Sequence, residues 1–444
     1  MTMTPRGLLA GAFSMTTLLG AATAHAQATP PAPAAPTATP APAPAAPGEG
    51  GISPEEQAEI DKATGADAAA DAQSKQAASE SAPAASSSGG GGLQSMNPDL
   101  SVILDVAAAA FSDDAPLQAG AHDPHESGFT LQQVELSFSH NVDPYLRFDS
   151  NIVFNEEEVD VEEAYATSLA LPYGLQARAG KFLTRFGRIN ATHPHSWDFV
   201  DQPFAISRAF GGEGNRGLGV ELSWLTPLPW YVEVVGSVTG AEGDETNRNF
   251  YGATHAGVHG ARDFEYLLAA KQFFDLSDNW SLLWGLSFAS APNDAGIPTG
   301  RDESTQIYGT DFYLKYRPIT YGSSTIVSLQ GEYLQVRRHV PGDTLVDHNA
   351  YAYLFYRFAQ RWATAARWEI GTPAEGANGA VDLLDPDWTE NRQRVSANLT
   401  FWPSEFSRFR LQGSMDAPGW KPDPTWAVML AGEFVIGAHG AHKF

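Results

Sequence analysis

Polar and apolar residues alternate along most of the chain after residue 98. In one segment Arg408, Arg410 and Gln412 alternate with Phe409 and Leu411. A period of two places the charged side chains on one face of a β-strand and the apolar side chains on the other. A soluble sandwich would turn the polar face outward, whereas a membrane barrel would turn it toward a lumen, and alternation alone allows both.

Sixteen segments are predicted as strands. They lie near 99–111, 129–142, 144–156, 158–171, 174–185, 216–226, 230–241, 262–274, 280–290, 305–317, 323–338, 348–360, 362–372, 391–403, 406–416 and 425–437. Their connections are alternately short turns and mostly long, polar loops. An even strand number with short turns on one side and long loops on the other is typical of a transmembrane antiparallel β-barrel. We therefore predict an all-β barrel of about 16 strands with long extracellular loops.

An aromatic residue lies beside each predicted short turn. Amphipathic rings favour the headgroup depth of a bilayer, so a repeated aromatic at this position indicates a girdle at the periplasmic interface. The residues concerned are Tyr145, Tyr173, Trp230, Trp280, Tyr321, Trp362 and Trp402.

The first 26 residues have the layout of an export signal. Arg6 precedes an apolar stretch over 8–20 that is too short to span a bilayer, and residues 24–26 fit a small-x-small cleavage site. The alternative to an export signal is that the apolar stretch forms a short buried helix. Residues 27–97 are rich in Ala and Pro and then in Gly and Ser, which predicts a disordered periplasmic linker with a short helix near 54–64. The barrel is assigned to 98–444.

Composition excludes several classes of protein. The chain has 444 residues, no cysteine, and 27 Lys and Arg against 52 Asp and Glu, a net charge of −25. It therefore has no disulfides or thiol chemistry, and it lacks the basic footprint of a nucleic-acid-binding protein. We find no hydrolase or phosphate-loop motif and expect no enzyme activity. The linker is too low in complexity to be the plug of an energised receptor.

The predicted long loops lie at 112–128, 186–215, 242–261, 291–304, 339–347 and 373–390. The longest loop holds Trp197, Phe199 and Phe204. Exposure of these side chains to water would be unfavourable, so this loop should pack against another part of the protein. We predict that it bends into the barrel and forms a constriction; an extracellular lid packed on its neighbours is the alternative. The residues expected to set selectivity there are Arg188, His193, His195, Asp198, Asp201, Arg208 and Glu213.

The run that follows the fifth predicted strand resembles the phosphate-selective porin superfamily, the porin O/P-like outer-membrane barrels. The residues that carry the resemblance are Gly180-Lys181-Phe182, Phe186-Gly187, His193, His195, Trp197-Asp198 and Asp201. The resemblance implies a sixteen-stranded barrel with an infolded third loop. We do not extend the family's phosphate selectivity to this chain.

Basic residues on the predicted inner faces could line the lumen. They would bind anions, or they would pair with carboxylates of the wall such as Glu135, Glu233, Glu332 and Glu369, and both readings remain open. The predicted lumen positions are Arg147, Lys271, Lys315, Arg392, Arg394, Arg408 and Arg410.

Histidines of the mature chain occur mostly in close pairs. Imidazoles beside loop carboxylates such as Asp123, Glu126 and Asp198 could capture zinc or a similar ion. His193 with His195 is the candidate pair, and polar loop histidines without a metal are the alternative. The last eight residues are similar to the endings of relatives labelled zinc-regulated outer-membrane receptors. Apart from zinc we expect no cofactor. The other pairs are His122 with His125, His255 with His259, and His439 with His442.

Together these features predict a passive porin-type channel for small hydrophilic solutes or ions in the outer membrane of a Gram-negative bacterium. A zinc capture or uptake protein that uses the loop histidines is the alternative, and a rim enzyme or structural tether comes third. The expected partners are outer-membrane lipid and the solutes themselves, with a homotrimer left open and nucleic acid excluded.

Overall fold

A computed structural model describes residues 98–437 of the chain, apart from 157, 242–245, 252–257, 259, 296–302 and 321–323. The predicted export signal, the linker and its short helix lie outside the described residues. So do Tyr321, the His439 and His442 pair, and His255 and His259.

Sixteen antiparallel strands form one closed barrel in sequence order. The barrel closes where β1 pairs with β16, with Ser101 opposite Gly437 and Phe111 opposite Ala427. Closure pairs every strand on both edges, which a bilayer requires because lipid offers no hydrogen bonds. The predicted fold class is therefore confirmed. The strands are β1 (Asp99–Phe111), β2 (Gly128–Asn141), β3 (Leu146–Phe154), β4 (Val159–Ser168), β5 (Leu175–Leu183), β6 (Arg216–Leu225), β7 (Tyr231–Gly240), β8 (Phe264–Ser277), β9 (Trp280–Pro292), β10 (Ser304–Tyr316), β11 (Ile326–Val340), β12 (Asp343–Ala359), β13 (Trp362–Gly371), β14 (Arg392–Ser404), β15 (Ser407–Pro418) and β16 (Thr425–Gly437).

Side chains alternate between the lumen and the outer surface, as the sequence pattern predicts. On β14, Arg392 and Arg394 are buried, whereas Gln393 and Val395 are exposed. The outer face is apolar along most strands, and these exposed side chains form the surface that would meet lipid. Examples are Leu218, Val220, Leu222, Leu411, Val428 and Leu430.

The aromatic residues beside the short turns are mostly exposed, as a girdle requires. Trp402 is an exception, because it is only 8% exposed. It shares the inward parity of Arg392 on β14, so the prediction that it belongs to the girdle is wrong. Its neighbour Phe401 instead packs on Trp362, with ring centroids 4.5 Å apart. The exposed members are Tyr145, Tyr173, Trp230, Trp280 and Trp362.

The connection between β11 and β12 is much shorter than the predicted loop 339–347. β11 continues to Val340 and β12 begins at Asp343, so only Pro341 and Gly342 form the turn. Gly342 has φ +84°, a left-handed conformation that glycine adopts at no steric cost. A tight hairpin therefore replaces the loop, and both strands are longer than predicted.

The connection between β5 and β6 contains a short helix, α1 (Phe204–Phe210), and a 3₁₀ turn over Pro194–Ser196. Pro203 precedes α1, and Gly211 ends it with φ +100°. Every residue of α1 is buried, including Arg208. A second 3₁₀ turn, Ala261–Asp263, precedes β8.

Among the described residues, no helix is long and apolar enough to cross a membrane.

Candidate functional site

Residues 184–215, the inner segment, leave the wall after β5 and return to it at β6. Its two ends lie side by side, because the Thr184 amide donates to the Asn215 carbonyl at 2.9 Å. The Asn190 side chain donates to both the Thr184 and the Asn215 carbonyls, each at 2.9 Å. The segment therefore projects from a closed neck without disturbing the pairing of β5 with β6.

Aromatic side chains of the inner segment pack against the inner wall. The Phe199 and Tyr353 rings meet edge to face at 5.3 Å between centroids. Within the segment itself, Phe186 meets Phe210 at 4.9 Å. Aromatic pairs in this geometry add to the stabilisation from burial. Trp197, Phe199 and Phe204 are each less than a tenth exposed. These residues therefore do pack against another part of the protein, the inner face of the barrel wall. Wall residues of the same apolar cluster include Val235, Leu267, Ile307, Leu334, Val336 and Ala365.

Asp201 of the inner segment lies between two arginines of the wall. Its Oδ1 is 2.6 Å from Arg367 Nη2, and its Oδ2 is 3.1 Å from Arg394 Nη1. Arg394 Nε also donates to Glu369 Oε1 at 2.7 Å, and Glu369 Oε2 accepts the Phe204 amide at 2.8 Å. These residues are almost fully buried. We call Asp201, Arg367, Glu369 and Arg394 the arginine cluster.

Permanent charge controls the ionisation of Asp201. Burial alone would raise the pKa of this carboxyl, but Arg367 and Arg394 hold the pKa at about 2. Asp123, in the connection between β1 and β2, accepts hydrogen bonds from the Gln202 and Gly120 amides. Burial, with Asp201 nearby, raises the pKa of Asp123 to about 7. Only one of the two carboxyls is thus firmly ionised near neutral pH.

Arginines of β15 bind the main chain of the inner segment. Arg410 Nη1 donates to the Phe199 carbonyl at 2.7 Å, and Arg408 Nη1 donates to the Trp197 carbonyl at 3.1 Å. Arg408 also pairs with Glu433 on β16. These guanidinium groups therefore hold the segment against the wall through its backbone.

The remaining predicted lumen residues are mostly paired as well. Arg392 Nη2 lies 2.5 Å from Asp416 Oδ2, and Lys271 Nζ lies 3.1 Å from Asp311 Oδ2. Arg147 pairs with Asp149 at 2.8 Å, and its side chain is 45% exposed. Lys315 lies half buried on β10.

Three of the four carboxylates expected as wall partners bind other groups instead of the predicted bases, and one of these, Glu135, meets the imidazoles of His193 and His195. Glu233 pairs with Arg185 at 2.7 Å, and Glu332 accepts the Ile189 amide at 2.8 Å. Glu369 does meet a predicted base, Arg394.

The other predicted residues of the inner segment also reach the wall. Arg188 Nε donates to Gln330 Oε1 at 2.8 Å, and its guanidinium lies 4.0 Å above the Tyr313 ring centre. The Asp198 carboxyl accepts the Tyr353 hydroxyl at 3.0 Å, and burial raises the pKa of Asp198.

Arg208, on α1, meets both the wall and another connection. Its Nη1 donates to Asn349 Oδ1 at 3.2 Å, and its Nε lies 3.3 Å from Asp385 Oδ2 between β13 and β14. The guanidinium carbon lies 3.7 Å from the Trp388 ring centre. Arg188, Asp198, Asp201 and Arg208 are therefore each tied to a neighbouring element.

His193 lies among carboxylates of β2 and β4. Its Nδ1 is 3.0 Å from Glu162 Oε2 and 3.8 Å from Glu135 Oε2. Its Nε2 is 2.9 Å from Glu163 Oε2 and 2.8 Å from the Asn151 side-chain amide. We call Glu135, Glu162, Glu163 and His193 the histidine cluster. Burial alone would lower the pKa of His193, but the carboxylates raise it well above its usual value.

His195 stacks on His193, with ring centroids 5.7 Å apart. Its Nδ1 lies 3.2 Å from Glu135 Oε2. The predicted pair His193 and His195 thus does come together, and it converges on a carboxylate, Glu135, that belongs to the barrel wall.

A second group lies next to the histidine cluster and shares Glu162 with it. His122 Nε2 is 3.0 Å from Glu162 Oε1 and 3.6 Å from Glu213 Oε2. Arg216 Nη1 lies 3.2 Å from Glu213 Oε2. The predicted partner of His122, His125, is exposed. A cavity of about 20 Å³ opens between the two groups and is lined by His122, Glu162, His193 and Glu213, among others.

The carboxylates of the histidine cluster are not evident from the alternation of β4. A β-bulge interrupts the pairing of β3 with β4, where Asn151 faces Glu163 and Ile152 faces Val161, so Glu162 is the extra residue. Both Glu162 and Glu163 are buried as a result. Sequence reasoning paired the histidines with nearby loop acids instead. Two adjacent glutamates within an alternating strand were the available signal for a bulge.

Comparison with solved structures places the fold among porin-type barrels. A high-pH structure of OprB from Pseudomonas putida matches with a TM-score of 0.53 at 10% identity, covering 77% of this chain and 94% of that chain. An anion-selective porin from Comamonas acidovorans matches with a TM-score of 0.50 at 10% identity, covering 77% and 99% of the two chains. At this identity the likeness establishes the fold. The finer resemblance to phosphate-selective porins stays a prediction.

No family model matches the chain. Sequence similarity nevertheless connects it with an uncharacterized protein of Aquifex aeolicus, which is 31% identical over 388 residues. The match covers 78% of this chain and 80% of the Aquifex protein. The chain therefore belongs to the same protein family as this Aquifex aeolicus protein.

Proposed function

We propose that the protein is a passive porin-type channel for small hydrophilic solutes or ions in a bacterial outer membrane. The observation that carries the proposal is the inner segment, which lies within a sixteen-stranded barrel and bonds to its polar inner wall. A barrel of this strand number would otherwise enclose a wide aqueous lumen. The segment is then the element that limits conductance.

A cavity of about 680 Å³ at the short-turn end supports an aqueous entrance to the barrel. Three arginines and one glutamate are among its lining residues, namely Arg317, Arg357, Arg361 and Glu405. Fixed positive charge in a low-dielectric vestibule concentrates anions. We therefore propose that anions are favoured over cations at this end of the channel.

Conductance across planar bilayers tests the proposal. The matched variant replaces residues 187–212 by a short Gly/Ser linker, which the neighbouring ends at Thr184 and Asn215 permit. We expect a small conductance for the full chain and a severalfold larger one for the shortened chain. The control replaces residues 295–302, because the Asn293 amide and Glu303 carbonyl are likewise close, at 3.0 Å. This control should conduct like the full chain.

The reversal potential under a salt gradient reports the preference between anions and cations. Folding of each variant is checked by its heat-dependent mobility in gels and by its β-sheet circular dichroism. Folded chains that conduct neither at full length nor after shortening would refute the channel. Equal conductance of the full and shortened chains would refute the role of the inner segment.

The remaining parts of the proposal follow from the sequence and the fold. An apolar outer face fits a bilayer, and the export signal predicted over residues 1–26 would direct the chain out of the cytoplasm. The protein is proposed to be a channel and not an enzyme. Assembly into a homotrimer stays a prediction that cross-linking in native membranes would test.

A further inference from the structure

We propose that Glu135, Glu162 and His193 form a binding site for a divalent transition-metal ion of the zinc type, which fastens the inner segment to β2 and β4. The proposal goes beyond the channel function, since a metal could bind in a barrel that conducts or in one that does not.

The three side chains present one nitrogen and two oxygen ligands to a common point. Their ligand atoms all lie within 4.8 Å of one another. His193 Nδ1 is 3.0 Å from Glu162 Oε2 and 3.8 Å from Glu135 Oε2. Ligands about 2.0–2.1 Å from a tetrahedral zinc ion are about 3.3 Å from one another, so ligand atoms that lie farther apart would move together by at most about 1.5 Å.

The far side of the His193 ring faces a carboxylate and the Asn151 side-chain amide, which lies 2.8 Å from Nε2. Nε2 lies 2.9 Å from Glu163 Oε2, and Glu163 Oε1 accepts the Leu183 amide at 2.8 Å. A metal-binding histidine usually donates its other ring N–H to such a group, which fixes the tautomer and leaves the first nitrogen free for the ion. Glu163 is thus the positioning residue of the site.

The two groups differ in the cations that face their carboxylates. Arg216 Nη1 lies 3.2 Å from Glu213 and 3.9 Å from Glu162, so a guanidinium already occupies the cationic role beside His122. Among the ion pairs of the described residues, Glu135 meets imidazoles and no guanidinium or ammonium. Buried carboxylates need a proton or a cation, and an ion bound by Glu135, Glu162 and His193 would supply it.

Space for an ion is present beside two of the three ligands, Glu162 and His193, whereas Glu135 is not among the residues that line it. The cavity of about 20 Å³ touches both Glu162 and His193, and roughly 10–15 Å³ suffices for one small occupant such as a water molecule. The β4 bulge turns Glu162 into this space. Bulges that redirect a side chain in this way are frequent next to functional sites.

The ligand set indicates the class of metal. Imidazole nitrogen suits zinc, iron, nickel and copper, whereas sites made only of oxygen suit magnesium and calcium. One imidazole with two carboxylates leaves a fourth position open on a tetrahedral ion. His195, whose Nδ1 lies 3.2 Å from Glu135, is next to that position.

Zinc binding to the full, refolded barrel tests the proposal. The protein is stripped with a chelator, and ZnCl₂ is titrated by calorimetry with magnesium in excess. We expect one zinc ion per chain at this site, and at least tenfold weaker binding for Glu135→Gln. The matched control is Glu126→Gln, an exposed carboxylate in the connection before β2, which should bind like the natural chain. Glu163→Gln should weaken binding without abolishing it.

X-ray absorption of the zinc-loaded barrel supplies a readout that folding defects do not imitate. It should show nitrogen and oxygen neighbours that include imidazole, and the imidazole signal should fall in His193→Gln. Absence of zinc binding by the folded natural chain would overturn the proposal, as would unchanged affinity in Glu135→Gln. Loss of binding in Glu213→Gln but not in Glu135→Gln would place the ion beside His122 and would also overturn it.

Discussion

The arginine cluster and the histidine cluster hold different parts of the inner segment by different chemistry. Asp201 meets two guanidinium groups that stay charged at every physiological pH. His193 meets three carboxylates, and its charge depends on protons or on a metal ion. The comparison shows that one attachment is permanent, whereas the other depends on the surrounding solution.

The largest expected effect comes from breaking the permanent attachment. Asp201→Asn would leave Arg367 and Arg394 with reduced compensation in a site closed to water, and removal of one partner from such a buried pair costs about 3–5 kcal/mol. We expect the free energy of unfolding, measured by urea titration in lipid vesicles, to fall by about that amount.

The surface pair of Asp113 with Lys421, 2.6 Å apart, provides the control. Both side chains are about a quarter exposed, so Asp113→Asn should leave the free energy of unfolding close to that of the natural chain. Equal effects of the two substitutions would mean that the arginine cluster stabilises the folded protein no more than a surface ion pair does.

Zinc should stabilise the folded protein through the histidine cluster and not through the arginine cluster. A ligand present at a hundred times its dissociation constant stabilises the folded state by about 2.7 kcal/mol. We expect this gain in the free energy of unfolding for the natural chain and for Asp201→Asn, and its loss in Glu135→Gln. A gain that persists in Glu135→Gln would show that zinc stabilises the barrel elsewhere.

Acid should destabilise the folded protein by protonating Asp201 of the arginine cluster, and this effect should be smaller than that of zinc. Because the folded-state pKa of Asp201, about 2, lies below its usual 3.8, its stabilisation is present above about pH 4 and is lost as the pH falls through about 2. The change is about 2 kcal/mol in the free energy of unfolding. The free energy of unfolding of the natural chain and of Asp201→Asn is measured in the presence of a chelator from pH 5 to pH 2. The difference between the two chains isolates the contribution of Asp201. A constant difference across this range would contradict the assigned pKa.

The strands and their inward faces could be predicted because a period of two is a local property of the sequence. Arg394 and Arg410 face inward for this reason, and the same parity would have placed Trp402 there. The turn at Gly342 was harder to recognise, since polar residues around it also fit a loop.

The histidine cluster could be predicted only in part. Its members come from β2, β4 and the inner segment, and their meeting depends on how far the segment reaches into the barrel. The bulge in β4 adds a second difficulty, because it breaks the alternation at the residue that matters, Glu162. The partners of His193 therefore come from tertiary structure and not from neighbouring positions in the chain.

The bulge in β4 also bears on how the site could be gained or lost in evolution. Glu162 is the one residue of β4 that is not paired with a residue of β3, whereas Val161 and Glu163 on either side of it are paired. Deletion of a single codon would restore an uninterrupted ladder and remove the ligand shared by both histidine groups. Relatives that differ by this one-residue gap would keep the barrel and lose the metal.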